Sequence, residues 1–507
     1  MLTKYWKQFK SGTDIRGVAS GGVKGEEMNL TDEVIEKMTS AFALWLMNFT
    51  KKDASSLTVA VGHDSRISAR RIQAAVTRSL AAAGVHVLSC GLASTPSMFM
   101  TTIDLGCDGA VQITASHHPF NRNGLKFFTK NGGLDAPDIE QILLYAEKDE
   151  KPAAGTGTVE TVNYMVRYCE ILREKIKSGV GAADYEHPLS GFKIVVDAGN
   201  GAGGFYARNV LAPLGADVSG SQFLEPDGYF PNHIPNPENE AAMISVCAAT
   251  VAAKADMGVI FDTDVDRCGA VDAKGDEINR NRLVAIASAI ALEGNAGGTI
   301  VTDSITSSGL KSYIEETLGG KHHRFKRGYK NVINEALRLN SEGVNCPLAI
   351  ETSGHAALRE NYFLDDGAYL ITKMIIKMAQ LRAQGKTLES LLEPLAEPAE
   401  AAELRFPILE ENFRECGNRI ISDLEAYAKQ QPGWQIAPDN REGIRISFGK
   451  ENGDGWFLLR LSVHDPLMPL NLESDTAGGN KRIASQLYAF LRTCSGVDIS
   501  PLEKFIG

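Results

Sequence analysis

One pattern of strands and a polar loop occurs three times along this chain and limits the folds open to it. Each copy begins with an apolar, partly β-branched run, at residues 57–61, 193–196 and 298–302. Each continues to a second short apolar run that leads into a polar loop, in the sequences DGAVQITASHHP, DMGVIFDTDVDR and CPLAIETSGH. Helix-like segments lie between the runs, an alternation typical of βαβ units with largely parallel sheets. The repetition predicts three related α/β domains.

The polar loops also predict where a ligand binds. Ligands of open α/β sheets bind beyond the carboxyl ends of the strands, and each of the three loops follows such an end. We therefore expect the loops to converge on one central cleft. In the first two copies, a helix also leads to a further strand, in AAAGVHVLSCG and LAPLGADVSGS.

The predicted domain boundaries follow changes in composition. At 507 residues the chain is too long for a single hydrophobic core. A charged stretch rich in Pro and Gly at residues 149–157, and an acidic, Pro-containing stretch at 388–402, are typical linkers. Asn-Gly and Asp-Gly pairs at 452–455 predict a hairpin in the last part. We predict an α/β fold with three domains on mixed, mostly parallel sheets (1–152, 153–285, 286–398) and a smaller C-terminal α+β domain (399–507).

Charge and cysteine usage narrow the partners and the compartment. The net charge of −11 argues against nucleic acid or an anionic membrane as the main partner. The eight cysteines are scattered without a CxxC pair, which is typical of reduced thiols in a cytosolic protein. The N-terminus lacks the apolar core of a signal peptide, and no apolar run approaches the roughly 18 residues of a membrane span. These features predict a cytoplasmic protein that does not enter a membrane.

The first polar loop presents a serine hydroxyl at the end of a strand. Ser116 is flanked by His117 and His118 and follows the apolar run of residues 110–113. An adjacent base or cation would activate such a hydroxyl as a nucleophile. The alternative is a surface loop whose Ser and His side chains bond to the local backbone.

The second polar loop carries three carboxylates at alternate positions, Asp262, Asp264 and Asp266. Clustered like charges are costly without a cation, and oxygen-only ligands select Mg²⁺ or Ca²⁺. An EF-hand is excluded because Arg267 stands where its sixth position needs Gly, and Ala273 where its twelfth needs Glu. The loop therefore predicts an Mg²⁺ site, with solvated surface aspartates as the alternative.

The third loop and the C-terminal part carry groups suited to a sugar phosphate. Glu351 and Ser353 offer a carboxylate and a hydroxyl at a spacing that suits a polyol, and His355 follows them. In the last domain Arg460 and Ser462 lie two residues apart on a loop, as in sites for a phosphate dianion. Further cations that would line the same cleft are Arg16 and Lys326.

A glycine-rich segment offers a competing interpretation. Residues 199–204 fit G-x-G-x-x-G after a strand, as in dinucleotide-binding folds. Such a site also needs an acidic residue at the end of the next strand, whereas Asp217 lies at that strand's start and Glu225 comes late. A dehydrogenase would also leave the serine loop and the three aspartates without a function.

Taken together, these residues resemble the α-D-phosphohexomutases, and within them the phosphomannomutase/phosphoglucomutase group, over essentially the whole chain. The resemblance implies that Ser116 carries a phosphoryl group and that Mg²⁺ is bound by three aspartates and a phosphoserine oxygen: Asp262, Asp264 and Asp266. It implies catalytic roles for four further residues: Lys126 near the transferred phosphate, the arginines Arg16 and Arg267, and His355 in proton transfer. It implies substrate contacts from Glu351 and Ser353 to the sugar hydroxyls, and from a set of phosphate-binding residues: Lys326, Arg460, Ser462 and His464.

The implied reaction is a reversible exchange of phosphate between the 1 and 6 positions of glucose, mannose or both. A hexose 1,6-bisphosphate is implied as activator, and a monomer or dimer as the working form. The chain departs from the family at Val463 and His464, where the phosphate loop usually has small or polar residues. The opening SGTDIRG is unlike that of glucosamine-phosphate mutases, which weighs against that substrate. A sugar phosphatase or a non-catalytic sugar-phosphate-binding protein would also be compatible with these residues.

Overall fold

The computed structural model of the protein describes residues 2–462 and 465–507. The β-strands in chain order are β1 (Lys10–Ser11), β2 (Asp14–Val18), β3 (Thr58–His63), β4 (His86–Leu92), β5 (Gly109–Ile113), β6 (Arg122–Thr129), β7 (Gly132–Gly133), β8 (Val159–Thr161), β9 (Ile194–Asp197), β10 (Met257–Phe261), β11 (Cys268–Asp272), β12 (Glu277–Ile278), β13 (Thr299–Thr302), β14 (Lys321–Arg324), β15 (Leu348–Ile350), β16 (Ala356–Leu358), β17 (Leu364–Asp365), β18 (Glu400–Pro407), β19 (Gln435–Ile436), β20 (Ile444–Phe448), β21 (Gly455–Leu459) and β22 (Leu467–Ser474).

The α-helices in the same order are α1 (Lys4–Lys7), α2 (Asp32–Thr50), α3 (Ala69–Ala82), α4 (Thr95–Asp104), α5 (Ala136–Glu147), α6 (Tyr164–Val180), α7 (Glu240–Ala253), α8 (Arg280–Leu292), α9 (Ser308–Ser312), α10 (Tyr329–Ser341), α11 (Gly367–Arg382), α12 (Phe413–Ala428), α13 (Gly479–Leu491) and α14 (Ser500–Ile506). The chain forms two compact units. The first comprises the chain up to Ile290 together with Ser353–Leu391, and the second comprises Ala291–Thr352 and Leu392–Gly507.

The first sheet of the first unit has the strand order β1-β2-β6-β5-β3-β4-β8, with β7 paired to β6. Strand β3 pairs in parallel with β4 and β5, whereas β6 runs antiparallel to β5. Helices α2, α3 and α5 pack with one face of the sheet in a single hydrophobic cluster. All five residues of β5 are buried, as expected for a central strand with both faces covered.

The second sheet of the first unit has the order β12-β11-β10-β9. Strand β10 pairs in parallel with β9 and antiparallel with β11. The aspartate loop is the short connection between β10 and β11, and its ends are joined by the amide of Asp262, which donates to the carbonyl of Arg267 at 3.3 Å. The hairpin of β16 and β17 and helix α11 belong to the same unit. Gly367 at the start of α11 lies so close to the backbone of Arg267 that a Cβ there would be 2.7 Å from its carbonyl carbon.

The further strand predicted in LAPLGADVSGS does not form as a strand. Only isolated bridges occur there, between Lys193 and Asp217 and between Asp197 and Gln222. The side chain of Asp217 accepts a hydrogen bond from the amide of Ser219 at 2.8 Å. This local turn competes with a regular ladder, and Gly220 follows with a φ of +99°.

The second unit contains a parallel arrangement β14-β13-β15 with helices α9 and α10, followed by the C-terminal part. The C-terminal sheet has the order β18-β22-β21-β20-β19 and is antiparallel throughout. Helices α12, α13 and α14 pack on it around one hydrophobic cluster. The hairpin predicted at residues 452–455 joins β20 to β21.

The predicted fold class is confirmed: the α/β repeats form mixed sheets with parallel strands, and a smaller α+β part follows. The three boundaries predicted between the four domains stay predictions. Among helices within residues 2–462 and 465–507, none combines the length and apolar character needed to cross a bilayer. The cysteines described are all free thiols.

Candidate active site

Ser116 lies three residues beyond the end of β5 and is almost fully buried. Its φ of +51° is unusual for a residue other than Gly, and its amide donates to Oγ1 of Thr114 at 2.9 Å. The Ser116 hydroxyl donates to Oδ2 of Asp262 at 3.2 Å and accepts from Nη2 of Arg267 at 3.0 Å. The hydroxyl of the first sheet's loop therefore lies directly against the aspartate loop of the second sheet.

The side chains of Asp262, Asp264 and Asp266 form one buried cluster. One carboxylate oxygen of each lies within 4.8 Å of the others. Burial, and then repulsion by Asp266 and Asp264, raises the pKa of Asp262 well above its ordinary value. Val265, between two of the aspartates, has a φ of +70°, a strained conformation for a β-branched residue that is common at functional sites.

Lys126 provides a cation to this cluster from the adjacent strand β6. Its Nζ lies 3.2 Å from Oδ2 of Asp264 and closer still to Oδ2 of Asp266. Burial favours the neutral form of Asp266, but three cations hold its pKa below the ordinary value: Lys126, His355 and Arg267. The cluster is therefore a mixed site in which positive side chains partly offset the aspartate charges.

Arg267 connects the serine, the aspartates and His117. Besides Ser116, it donates to Oδ2 of Asp262 at 3.1 Å and to Nδ1 of His117 at 2.6 Å. Since a guanidinium only donates hydrogen bonds, Nδ1 of His117 is unprotonated. Burial, and then the charge of Arg267, lowers the pKa of His117 to about 2. The imidazole beside the Ser116 hydroxyl is therefore neutral and a poor base.

His355 reaches the same cluster from the third polar loop. Its backbone pairs with that of Arg267, and its Nδ1 lies 2.6 Å from Oδ2 of Asp365 and 3.9 Å from Oδ1 of Asp266. Burial opposes the charged imidazolium, but the two carboxylates outweigh it and raise the pKa of His355 to about 9. His355 is therefore protonated at neutral pH. Arg16, on β2, pairs with Asp14 at 2.9 Å.

The second unit brings together other candidate residues. Oε1 of Glu351 accepts a hydrogen bond from the amide of Gly328 at 2.5 Å. The preceding amide, of Arg327, donates to Oε2 of Glu442 at 2.6 Å. Oε1 of Glu442 lies 3.4 Å from Nε of Arg460. Glu351 and Arg460 are thus connected through Glu442 and two consecutive amides just before α10.

The remaining predicted substrate residues differ in their surroundings. Ser353 is buried, Lys326 is exposed, and Oγ of Ser462 accepts from the amide of Asp465 at 3.3 Å. Val463 and His464 lie outside the described residues, so the phosphate contact predicted for His464 stays a prediction.

Comparison with known proteins identifies the family. Models of the three α/β/α domains of phosphoglucomutase/phosphomannomutase match residues 8–152, 167–275 and 279–398. The chain belongs to this family. It is 28% identical to a phosphoglucomutase of Neisseria meningitidis serogroup A, over 95% of this chain and 96% of that protein. It is 28% identical to a phosphomannomutase/phosphoglucomutase of Pseudomonas syringae pv. tomato, over 86% and 87% of the two chains.

A solved structure shows the same relationship. The crystal structure of a phosphoglucomutase/phosphomannomutase family protein from Burkholderia thailandensis matches with a TM-score of 0.79 and 25% identity. The match covers 97% of this chain and 98% of that one. The serine loop lies in the range matched by the model of domain I, and the aspartate loop lies in the range matched by the model of domain II.

Membership in the phosphohexomutase family removes the dehydrogenase interpretation of residues 199–204, and the structure gives these glycines another function. The amide of Ala202 donates to the carbonyl of Thr263 at 2.8 Å. A Cβ on Gly201 would lie 2.6 Å from that carbonyl oxygen and 2.9 Å from the Cα of Thr263. The segment therefore needs glycine because its backbone packs against the aspartate loop.

The aspartate cluster of this phosphohexomutase fits a metal ion. Within the part of the chain that the structure describes, Oδ1 of Asp264 and Oδ1 of Asp266 are buried without a hydrogen-bond partner. Unpaired buried carboxylate oxygens are costly, and a cation would satisfy both. The oxygen-only ligand set suits a hard divalent ion.

Three buried residues near the site were not predicted from the sequence. Arg66 contacts the serine loop, Oγ1 of Thr95 donates to Asp264, and Asp365 holds His355. Arg66 follows the end of β3, so the strand-end rule that identified the other loops would have identified it as well. Thr95 and Asp365 lie outside any motif, and only the fold brings them to the cluster.

Proposed function

We propose that the protein interconverts hexose 1-phosphate and hexose 6-phosphate, with Ser116 as the phosphoryl carrier. The observation that carries this proposal is the position of the Ser116 hydroxyl, 3.0 Å from Arg267 and 3.2 Å from Asp262. The relatives named phosphoglucomutase and phosphomannomutase/phosphoglucomutase support the same reaction. The protein is thus an enzyme of the phosphohexomutase class, an intramolecular phosphotransferase of carbohydrate metabolism.

In the proposed cycle, phosphorylated Ser116 gives its phosphoryl group to the free hydroxyl of a hexose phosphate and forms a bisphosphate. When the bisphosphate returns its other phosphoryl group, the bond between phosphorus and the sugar oxygen breaks and a bond to Oγ of Ser116 forms. In the first transfer the bond between phosphorus and Oγ of Ser116 breaks, and Oγ receives the proton that the attacking sugar hydroxyl loses. In the return transfer Oγ gives up its proton and the released sugar oxygen gains one, so no proton is gained or lost overall. Hexose 1,6-bisphosphate is the activator because the serine must be loaded first.

The residues around Ser116 suit a transfer that depends on charge stabilisation. Phosphoryl transfer is catalysed mainly by positioning and by cations placed around the moving group. Arg267 and Lys126 supply positive charge at the hydroxyl and at the aspartates. Arg16 adds positive charge near His117. We assign proton delivery to the sugar oxygen to His355, whose Nδ1 is held by Asp365 while Nε2 exchanges the proton.

We propose Mg²⁺ as the metal of this enzyme, held by the carboxylates of Asp262, Asp264 and Asp266. When bound, the ion neutralises charge on phosphoryl oxygens. Two orphaned carboxylate oxygens in the described cluster support this assignment.

The substrate residues of the third polar loop and the C-terminal part are proposed to bind the rest of the sugar phosphate. Glu351, with Ser353 from the same loop, is assigned to the sugar hydroxyls. The phosphate that is not reacting is assigned to Lys326, Arg460, Ser462 and His464. A carboxylate and a guanidinium, both largely shielded from solvent, support these assignments. Glucose and mannose phosphates both remain substrates under this proposal.

The deciding experiment is a coupled assay with glucose 1-phosphate and with mannose 1-phosphate, primed with hexose 1,6-bisphosphate and Mg²⁺. We expect 6-phosphate to form without release of inorganic phosphate. Ser116→Ala should abolish turnover and the phosphorylation seen by intact mass. Ser178→Ala, which changes an exposed serine on α6, is the matched control. Phosphate release equal to substrate loss would indicate a phosphatase, and binding without turnover by phosphorylated protein would indicate a silent binding protein.

A further inference from the structure

Arg66 is a fully buried arginine whose role is not explained by the chemistry described so far. It follows β3, and its side chain has no exposed surface. It donates to carbonyl groups of the loop that carries Ser116: Nη1 to Pro119 at 2.7 Å and Arg122 at 2.9 Å, and Nη2 to His118 at 2.6 Å and to Ser116. One guanidinium therefore satisfies four carbonyl oxygens of this loop.

The serine loop needs such a partner because its backbone is strained. A left-handed φ at a non-glycine residue persists only when the surroundings over-determine it, and Ser116 has a φ of +51°. Buried carbonyl groups without donors are also costly. The planar, rigid fork of an arginine meets several acceptors in fixed directions, which a lysine cannot do. Arg66 thus fixes the peptide from which the reacting hydroxyl projects.

A second set of hydrogen bonds connects Arg66 to Ser116 through Asp64. Oδ1 of Asp64 accepts from the amide of Arg66 at 2.9 Å, and Oδ2 accepts from the hydroxyl of Thr114 at 2.7 Å. That hydroxyl in turn accepts from the amide of Ser116 at 2.9 Å. The amide and the carbonyl of the same serine are therefore both held from residues 64–66.

The half of the first unit that carries the aspartates also contacts Arg66. The ring of Phe230 lies over its guanidinium, with 5.3 Å between the guanidinium carbon and the ring centroid. Gly228 packs directly on the backbone of residues 65–67, where a Cβ would collide. Tyr229 contacts Phe120, beside the serine loop, at a ring distance of 5.5 Å. Arg66 is thus enclosed between the serine loop and the segment 228–230.

We propose that Arg66 is a positioning residue for phosphoryl transfer. It holds the Ser116 peptide in the conformation that directs Oγ to Asp262 and Arg267, and Phe230 fixes Arg66 in turn. The inference rests on the proposed function, because it requires Ser116 to be the carrier.

The test compares Arg66→Lys with a matched control, Arg71→Lys. Arg71 lies in the same domain and also donates to two backbone carbonyls, of Ala19 at 2.8 Å and Leu30 at 3.0 Å, but not to the serine loop. We expect Arg66→Lys to lower kcat about 100-fold, since displacement of a reacting group by about 1 Å has that effect. The KM for hexose phosphate should stay within about threefold of wild type, because uniform binding is not changed. Arg71→Lys should retain kcat.

Transfer of labelled phosphate from hexose 1,6-bisphosphate to Ser116, measured in a single turnover, separates positioning from folding. In Arg66→Lys, the rate of labelling should fall by the same factor as kcat. The folded fraction of this variant, measured by circular dichroism, should equal that of Arg71→Lys. If Arg66→Lys does not fold, Phe230→Leu replaces it as the test variant, because it removes the ring over Arg66 and keeps the four hydrogen bonds of the guanidinium. Phe230→Leu should slow labelling about tenfold. Labelling at the wild-type rate in the folded variants would overturn the role of Arg66. Absence of labelling in the wild-type protein would instead overturn the proposed function.

Discussion

The surroundings of His117, beside Ser116, and of His355, beside Asp266, move the pKa values of these two histidines in opposite directions. Burial and then Arg267 lower the pKa of His117 to about 2, whereas two carboxylates outweigh burial and raise that of His355 to about 9. One imidazole is therefore a neutral acceptor and the other carries a proton at neutral pH. Environments that separate the pKa values of like groups in this way indicate distinct acid–base roles, which favours His355 over His117 as the proposed proton donor to a sugar oxygen.

At the same scale, Lys126 forms ion pairs with Asp264 and Asp266, so it would compete with the proposed metal ion for their carboxylates. Lys126→Met should lower kcat about 100-fold, the usual effect of losing one charge-stabilising group. The same change should tighten binding of Mn²⁺, because a positive charge no longer lies on the carboxylates. Calorimetric titration of unphosphorylated protein with Mn²⁺ measures the second effect. The control is Lys130→Met, which changes an exposed lysine two residues after the buried Phe128 of β6. An unchanged affinity of Lys126→Met for Mn²⁺ would contradict this account.

Among the elements, helix α11 begins at a buried carboxylate that links stability to pH. Asp366 accepts from the amide of Tyr369 and from the hydroxyl of Tyr168, both at 2.8 Å. Burial outweighs these donors and raises the pKa of Asp366 from 3.8 to about 7. The folded protein therefore binds a proton here that the unfolded chain has lost between these two pH values. The stabilising contribution is complete below about pH 4 and is lost as the pH rises to about 7.

The corresponding prediction concerns Asp366→Asn, which keeps a cap for α11 but does not titrate. Between pH 5 and pH 7.5 the wild-type free energy of unfolding should fall about 3 kcal/mol more than that of the variant, from roughly 1.4 kcal/mol for each pH unit below the folded pKa. Urea unfolding at the two pH values measures this difference. Equal slopes for the two proteins would show that Asp366 is ionised in the folded state across this range.

For the molecule as a whole, the sequence predicted what depends on local pattern and missed what depends on packing. Apolar runs predicted the strands that lead into the loops of Ser116, Asp262 and Glu351, because buried parallel strands have a distinct composition. The strand expected near Asp217 was wrong, since an Asp–Ser turn interrupts it. The resemblance supplied the roles of the loop residues, which composition alone left open.

Side-chain contacts made through the fold show the same limit. Asp365 reaches His355, and Thr95 reaches Asp264, through contacts that no spacing in the chain encodes. The glycines of residues 199–204 matched a dinucleotide motif because both structures need close backbone packing. Their actual neighbour, Thr263, becomes evident only from the folded chain.

At this scale, the phosphate binding proposed for the second unit is tested at Arg460. Its guanidinium, paired with Glu442 at 3.4 Å, is assigned to the phosphate that does not react, so it contacts ground state and transition state alike. Loss of such uniform binding raises KM and leaves kcat nearly unchanged. Arg460→Ala should therefore raise KM for hexose 1-phosphate at least about tenfold with kcat within about threefold, and Arg460→Lys, which keeps a charge against Glu442, should lie between. Steady-state kinetics measure both constants, with Arg441→Ala, at an exposed arginine next to Glu442, as the control. A fall in kcat with an unchanged KM in Arg460→Ala would contradict this assignment.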